Sequence, residues 1–267
     1  MTAPVLDPNH PLTGVAGLGA FKSLHDRKGR KLNLIAAAFF ALLGVGIAVV
    51  GIGFGLYEVM SFGSSRWDNV LPGVILAIVI GGLLFAVGAW SLFTSFRDWK
   101  LTVGLYEHGV GVVTNAGLQM VRWDQVNAIY QQVTRHYTNG VYTGTTHRYT
   151  LIDTDGKKHI LDDRLKDVEA LGNAVQDGVN NALFPRYAQA INSGQRVDFG
   201  PLGLDRQQIY AGKKSLPWSE IKAIKIERGN IAIKKEGGWF NWSAVTVPQV
   251  PNFWVFYALI RNFATVE

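Results

Sequence analysis

Two apolar runs without Lys or Arg, Leu32 to Tyr57 and Leu71 to Phe96, dominate the N-terminal third of the chain. A bilayer core about 30 Å thick takes roughly 20 helical residues, each rising about 1.5 Å. In hydrocarbon every backbone amide must bond within its own segment, so the runs predict transmembrane helices over 32–57 and 71–96. The connector 58–70 is short, which makes the pair a hairpin with both ends in one compartment. Beyond Trp99 the pattern changes to alternation. Residues 100–106, 109–113, 118–123, 128–137, 147–152 and 158–161 predict strands, separated by turn signals such as Glu107-His108-Gly109 and Asn139-Gly140. Leu165, Val168, Leu171, Val175, Val179 and Leu183 then recur at spacings of three and four. That stripe predicts an amphipathic helix with Asp162 or Asp163 as N-cap and Pro185 helping to end it.

A second cycle of the same order follows. Leu118 to Tyr130 aligns with Lys213 to Lys225, matching Trp123 to Trp218, Val126 to Ile221 and Ala128-Ile129 to Ala223-Ile224. Upstream, Leu105 to Val110 aligns with Leu204 to Ile209. Downstream, strands over 230–235 and 242–247 precede an apolar helix from Asn252 to about Asn262. Repeats of one supersecondary unit indicate tandem copies of a fold. The link 187–195 divides them, and each copy reads as a small bent sheet or barrel closed by its helix.

The phrase running from a strand into Trp123-Asp-Gln-Val126 or Trp218-Ser-Glu-Ile221, with a helix closing the unit, resembles the bacterial pleckstrin-homology-like domains often fused to paired membrane spans. More narrowly, Val133 to Thr150, Leu161-Asp-Asp-Arg164 and Pro251-Asn-Phe-Trp-Val-Phe256 are similar to an uncharacterised family of bacterial membrane proteins, a domain of unknown function. The resemblance covers about residues 100–263 and implies an α+β, mostly β, soluble region of two tandem barrels, each with a C-terminal helix, preceded by the transmembrane hairpin. The expected domains are a basic N-terminal tail (1–31), span 1 (32–57), an extracytoplasmic connector (58–70), span 2 (71–96), and pleckstrin-homology-like domains over 100–186 and 196–267. The broader fold implies binding, not chemistry. Eukaryotic relatives hold phosphoinositides with basic residues in the first strand connection; here Glu107-His108-Gly109 and Asp205-Arg206-Gln207-Gln208 stand there, so that site does not carry over.

Charge sets orientation. Lys22, Arg27, Lys28, Arg30 and Lys31 precede the first run against Asp7 and Asp26, and Arg97 and Lys100 follow the second, while the connector holds Arg66 against Glu58 and Asp68. The positive-inside rule puts both termini in the cytoplasm of a cell (inner) membrane. A cleaved signal peptide is not expected, because about thirty mostly polar residues precede a run far longer than an h-region. The spans hold no ionisable interior residue of the kind pumps and proton relays use. Gly44, Gly46, Gly51, Gly53 and Gly55, with Ala77, Gly81, Gly82 and Ala86, suit close helix packing, within the hairpin first and between copies second.

Chemistry is sparse. There is no cysteine, hence no disulfide, thiolate metal site or cysteine nucleophile. Asp153, Asp155, Asp162 and Asp163 are explained by turns and caps. His136 and His147 fall opposite each other across a hairpin but lack a third metal ligand. Neither metal, cofactor nor enzymatic activity is expected. Of the net charge of +6, residues 97–267 carry +4, too dilute over the soluble region for nucleic-acid binding. Two surfaces stand out. The hairpin tip from Tyr137 to Thr146 is long for a turn and offers Tyr137, Asn139 and Tyr142 for contact. Lys234, Lys235, Trp239, Phe240 and Trp242 set basic residues beside aromatics; Trp239 or Trp242 packing under the final helix is the first interpretation, a membrane-interface loop the second. Arg27, Lys28, Arg30, Lys31, Lys213 and Lys214 are candidates for anionic lipid. Together these predict a membrane-anchored, non-enzymatic scaffold at the cytoplasmic face that binds a protein partner or itself, with membrane lipids around its spans. Lipid-surface binding is the alternative, and an oligomeric pore comes last.

Overall fold

The computed structural model describes residues 10–267 and divides them into two compact units: residues up to Asp26 with 102–113 and 118–267, and residues 27–101 with 114–117. The expected tail residues 1–9 lie outside the described residues.

The 27–101 unit is a helical hairpin, α1 (Arg30–Phe62) and α2 (Trp67–Arg97). At about 1.5 Å per residue both exceed the roughly 30 Å of a bilayer core, and both are long and apolar enough to cross a membrane. The helices run further than the apolar patterning marks. Most of the expected connector is helical, and a break at Gly63 (φ 92°) with a 3-10 turn over Ser64–Arg66 suffices to reverse the chain. Small residues make the contact between them. The buried positions are Ala37, Ala41, Gly44 and Gly55 on α1 and Val74, Gly81, Gly88 and Ser95 on α2. A Cβ on Gly44 would lie 2.4 Å from the Gly81 carbonyl oxygen, and one on Gly88 2.4 Å from the Ala41 nitrogen. Gly46 and Gly53 face open space.

The other unit is mostly antiparallel β. Strands β1 (Phe21–Asp26), β2 (Thr102–Tyr106), β3 (Gly109–Thr114) and β4 (Gly117–Arg122) form one sheet in that order. A 3-10 turn opened by Trp123 leads to β5 (Val126–Thr138), β6 (Val141–Asp153) and β7 (Lys158–Asp162), then α3 (Val168–Asn192). Next come β8 (Val197–Phe199), β9 (Leu202–Leu204), β10 (Gln208–Ala211) and β11 (Lys214–Pro217) as a second four-stranded sheet. A 3-10 turn opened by Trp218 leads to β12 (Ile221–Glu227), β13 (Asn230–Lys235) and β14 (Asn241–Thr246), then α4 (Phe253–Ile260).

The segment before the helices departs from a plain basic tail. β1 pairs with β2, Asp26 opposite Thr102, and Leu12 and Leu18 are buried against Tyr106 and Val113. Gly109 and Gly111 admit them: a Cβ at either would come within 2.7 Å of Leu18 or Leu12.

The helix stripe on α3 is buried throughout, from Leu171 to Leu183. Gly172 and Gly178 sit where the Tyr149 and Trp123 rings press on the helix, each leaving less than 3 Å for a Cβ. Two expectations at its ends fail. α3 runs through Pro185 because its last turns have packing to gain: Ile191 is buried and Tyr187 meets Phe199 edge-on at 5.3 Å. Its N-cap is Asp167 in left-handed backbone without a side-chain cap bond. Asp162 instead accepts from the Arg164 guanidinium (2.7 Å) and Asp163 from the His147 amide (2.7 Å).

Asn252 ties α4 to β5. Its Oδ1 accepts from the Ile129 amide (2.9 Å), its own amide donates to the Ile129 carbonyl (2.8 Å), and its Nδ2 donates to the Asn127 carbonyl (3.0 Å). With Phe199 meeting Phe256 at 5.4 Å, the two seven-stranded halves share one packed unit.

Candidate binding surfaces

Sheet edges expose unpaired amides and carbonyls, and folded proteins usually cover or blunt them. Two edges here are covered from far along the chain. The β12 edge is taken by residues 265–267, whose backbone exchanges three 2.9 Å hydrogen bonds with Ile224 and Ile226. The inner β5 edge is taken by Asn252, and the Trp254 indole reaches the Gln131 side chain (3.2 Å).

Among the described residues, nothing covers the outer β5–β6 ribbon in this way. Asn139 (φ 51°) and Gly140 (φ 80°) form a two-residue turn, the backbone that Asn-Gly accommodates best. The segment 137–146 is therefore continuous strand, not a long loop, with one register shift between His136 and Tyr137. β7 pairs only with Arg148 to Ile152, and the Asp163 carboxylate takes the His147 amide just beyond. From there to the tip the ribbon is two strands wide, and residues 132–143 are exposed without exception. Tyr137 and Tyr142 meet edge-to-face at 5.9 Å, and the Tyr142 hydroxyl is 2.8 Å from that of Thr145. Asn139 stands at the turn. No Asp or Glu occurs between Gln125 and Ile152, while Arg135, His136, His147 and Arg148 do. The two histidines are not opposite each other: His136 pairs with Gly144 and bonds Thr146, while His147 pairs with Val133 and its ring lies 3.7 Å from Asp163 and 3.8 Å from Glu169.

At the β13–β14 loop, Trp239 is 98% and Phe240 88% exposed, whereas Trp242 is half-buried. Core packing of Trp239 under the last helix is thus overturned. Gly237 and Gly238 carry the chain beyond the strand ends, and it is Trp218 that stacks on Phe263 at 4.9 Å. Lys235 bridges Glu220 (2.8 Å), and Lys234 is half-buried beside it.

The basic candidates separate. Arg27 is buried and donates to the Ser95 carbonyl (2.7 Å), satisfying an acceptor near the α2 C-terminus, so lipid cannot reach it. Arg30 is half-buried over the Trp99 ring at 5.4 Å. Lys28, Lys31, Lys213 and Lys214 are exposed.

Polar clusters that pattern reading passes over serve the fold. Asp153 accepts from the His159 ring (2.9 Å) and from the amides of Asp155 and Lys157. The His159 hydrogen bond holds its carboxyl below the ordinary carboxylate range. Burial pushes the Asp205 carboxyl up, but hydrogen bonds from Tyr210, Gln207 and Gln208 together reverse this and hold it low. Tyr210 in turn is pushed up by that bond. Among the described residues, no three His, Asp or Glu side chains gather where they could hold a metal.

The family described as a family of unknown function (DUF6585) matches residues 13–266, all but the extremes of the chain. The chain belongs to this family. The match includes both apolar helices and both aromatic surfaces, so neither surface is an addition outside the family's extent. No curated protein matches the chain.

Proposed function

We propose that this chain is a membrane-anchored, non-enzymatic binding module of a bacterial inner membrane, its two spans holding two tandem pleckstrin-homology-like units at the cytoplasmic face. The apolar exterior of the helix pair supports the anchor: residues such as Leu42, Val50, Met60 and Leu83 are more than 60% exposed, which water tolerates poorly over so large a patch. The basic flanks support the orientation. The tandem reading is supported by the order of elements on either side of residue 193 and by the two tryptophans. Each opens a 3-10 turn and sends its indole N–H to a carbonyl, Trp123 to Glu107 (3.0 Å) and Trp218 to Asp205 (3.1 Å).

The observation that carries the binding function is the bare ribbon. An extended segment of a partner protein, or of a second copy, adds to such an edge by main-chain pairing and is selected by the side chains along it. Ile129 turns both its N–H and its C=O to the side of β5 away from β6, where Asn252 takes them, so by strand alternation Gln131, Val133 and Arg135 turn theirs to the same side, beyond that cover. Proline at an outward-facing amide removes a docking donor and spares the β5–β6 ladder. Capture of intact protein from native membranes, with two differently tagged copies expressed together, should therefore recover a stoichiometric partner or the second copy with wild type and lose it with Val133→Pro/Arg135→Pro. Recovery of the same species with both proteins would refute edge pairing.

A further inference from the structure

We infer that the β13–β14 tip is a membrane-interface anchor, with Trp239 and Phe240 entering the boundary between phospholipid headgroups and acyl chains. Trp239 and Phe240, exposed to 98% and 88%, are the most exposed aromatics among the described residues, ahead of Tyr137 at 61% and Tyr142 at 55%, whereas Phe253, Phe256 and Phe199 are all at 7% or below. Among the described residues no side chain covers them, and they follow two glycines in the loop between the paired strands β13 and β14. The chemistry selects the occupant. Trp combines an apolar ring with an N–H that needs a partner, a pairing enriched where bilayers meet water. Lys234 and Lys235 stand at the base of the tip, Lys235 paired with Glu220, and Glu236 begins the loop. That nearly balanced set calls for an apolar boundary first and anionic headgroups second. The same chain carries two helices of bilayer length, so the tip never has to find a membrane by diffusion; tethering keeps the effective concentration high.

The inference rests on the reading that the helix pair is an anchor, and the experiment separates the two. The chain has no cysteine, so Phe240→Cys gives a single attachment point for an environment-sensitive fluorophore in the full-length protein. Asp155→Cys, at an exposed turn of the first half, provides the comparison. Both are reconstituted into phosphatidylcholine/phosphatidylglycerol liposomes. Retention of protein in the liposomes after carbonate washing tests the anchor. Fluorophore depth tests the tip: a blue-shifted emission at position 240, quenched by nitroxide-labelled lipid and protected from aqueous iodide, with the reverse at 155, is the expected result. Equal iodide quenching at both positions in carbonate-resistant protein overturns the inference. So does a blue shift at 240 without nitroxide quenching, since protein, a second copy or another partner, would then cover the tip. Neither result touches the edge-pairing test, which concerns a different hairpin.

Discussion

Asn252→Ala should unfasten α4 from β5. Asn252 is 2% exposed and sits at φ 53°, ψ 39°, a backbone conformation that asparagine tolerates and alanine pays for with about 1 kcal/mol. The substitution also removes the acceptor of the Ile129 amide and a donor to the Asn127 carbonyl. Ile129 is buried, so its N–H has no water to turn to and costs about 1–3 kcal/mol, whereas Asn127 is exposed and its carbonyl rehydrates. The total is about 2–4 kcal/mol. For a unit of this size that lowers the midpoint of thermal unfolding by on the order of 5–15 °C, followed by near-ultraviolet circular dichroism of the full chain in detergent. Asn252→Gly loses the same hydrogen bonds without the backbone penalty and should recover about 1 kcal/mol. An Asn252→Ala protein that melts within about 1 °C of wild type would refute the account, and so would a glycine variant less stable than the alanine one.

Gly172→Ala places a methyl 2.1 Å from the Tyr149 ring, so overpacking should cost about 1–3 kcal/mol, read as a lower denaturant midpoint with an unchanged slope. Gly88→Val should separate the helix pair, because its Cβ meets the Ala41 backbone at 2.4 Å; Gly53→Val, facing open space, should not, and spin-label distances across the hairpin would distinguish them. Asp153 has a folded pKa below the unfolded value of about 3.9, so its contribution is present above about pH 4 and fades as pH falls through the folded value. Asp153→Asn should accordingly lose stability at pH 6, and its deficit against wild type should shrink as pH falls below about 4; a deficit that does not change with pH would contradict the assignment.

Where local pattern and final packing agree, the sequence is legible. The strand over 230–235 matches β13 residue for residue, and every position of the 165–183 stripe is buried, because alternation and helical spacing record which face meets the core. β1 escapes such reading. Phe21-Lys-Ser-Leu-His-Asp26 has no alternation, lies among basic residues, and gains its partner from beyond both helices. The edge covers at Asn252 and at residues 265–267 are equally silent, since a single buried asparagine or three paired residues carry no period. The two binding surfaces show the remaining limit. Tyr137 and Tyr142 sit where the sequence points, but their bare ribbon follows from where β7 stops. Trp239 looks like a core residue in one dimension, and only the path of the Gly237-Gly238 loop shows that it is not.

The pairing of Asp26 with Thr102 has a consequence for biogenesis. In chain order the helices are an insertion inside what would otherwise be a simple β1–β2 hairpin. β1 leaves the ribosome first yet has nothing to pair with until residues 27–101 have been made, so under the proposed anchoring sheet assembly follows delivery of both helices to the membrane. The same adjacency makes the insertion removable. Because its two ends are neighbours in register, a two-residue Asn-Gly turn in place of residues 27–101 closes the gap, and the remaining unit should fold in water without detergent.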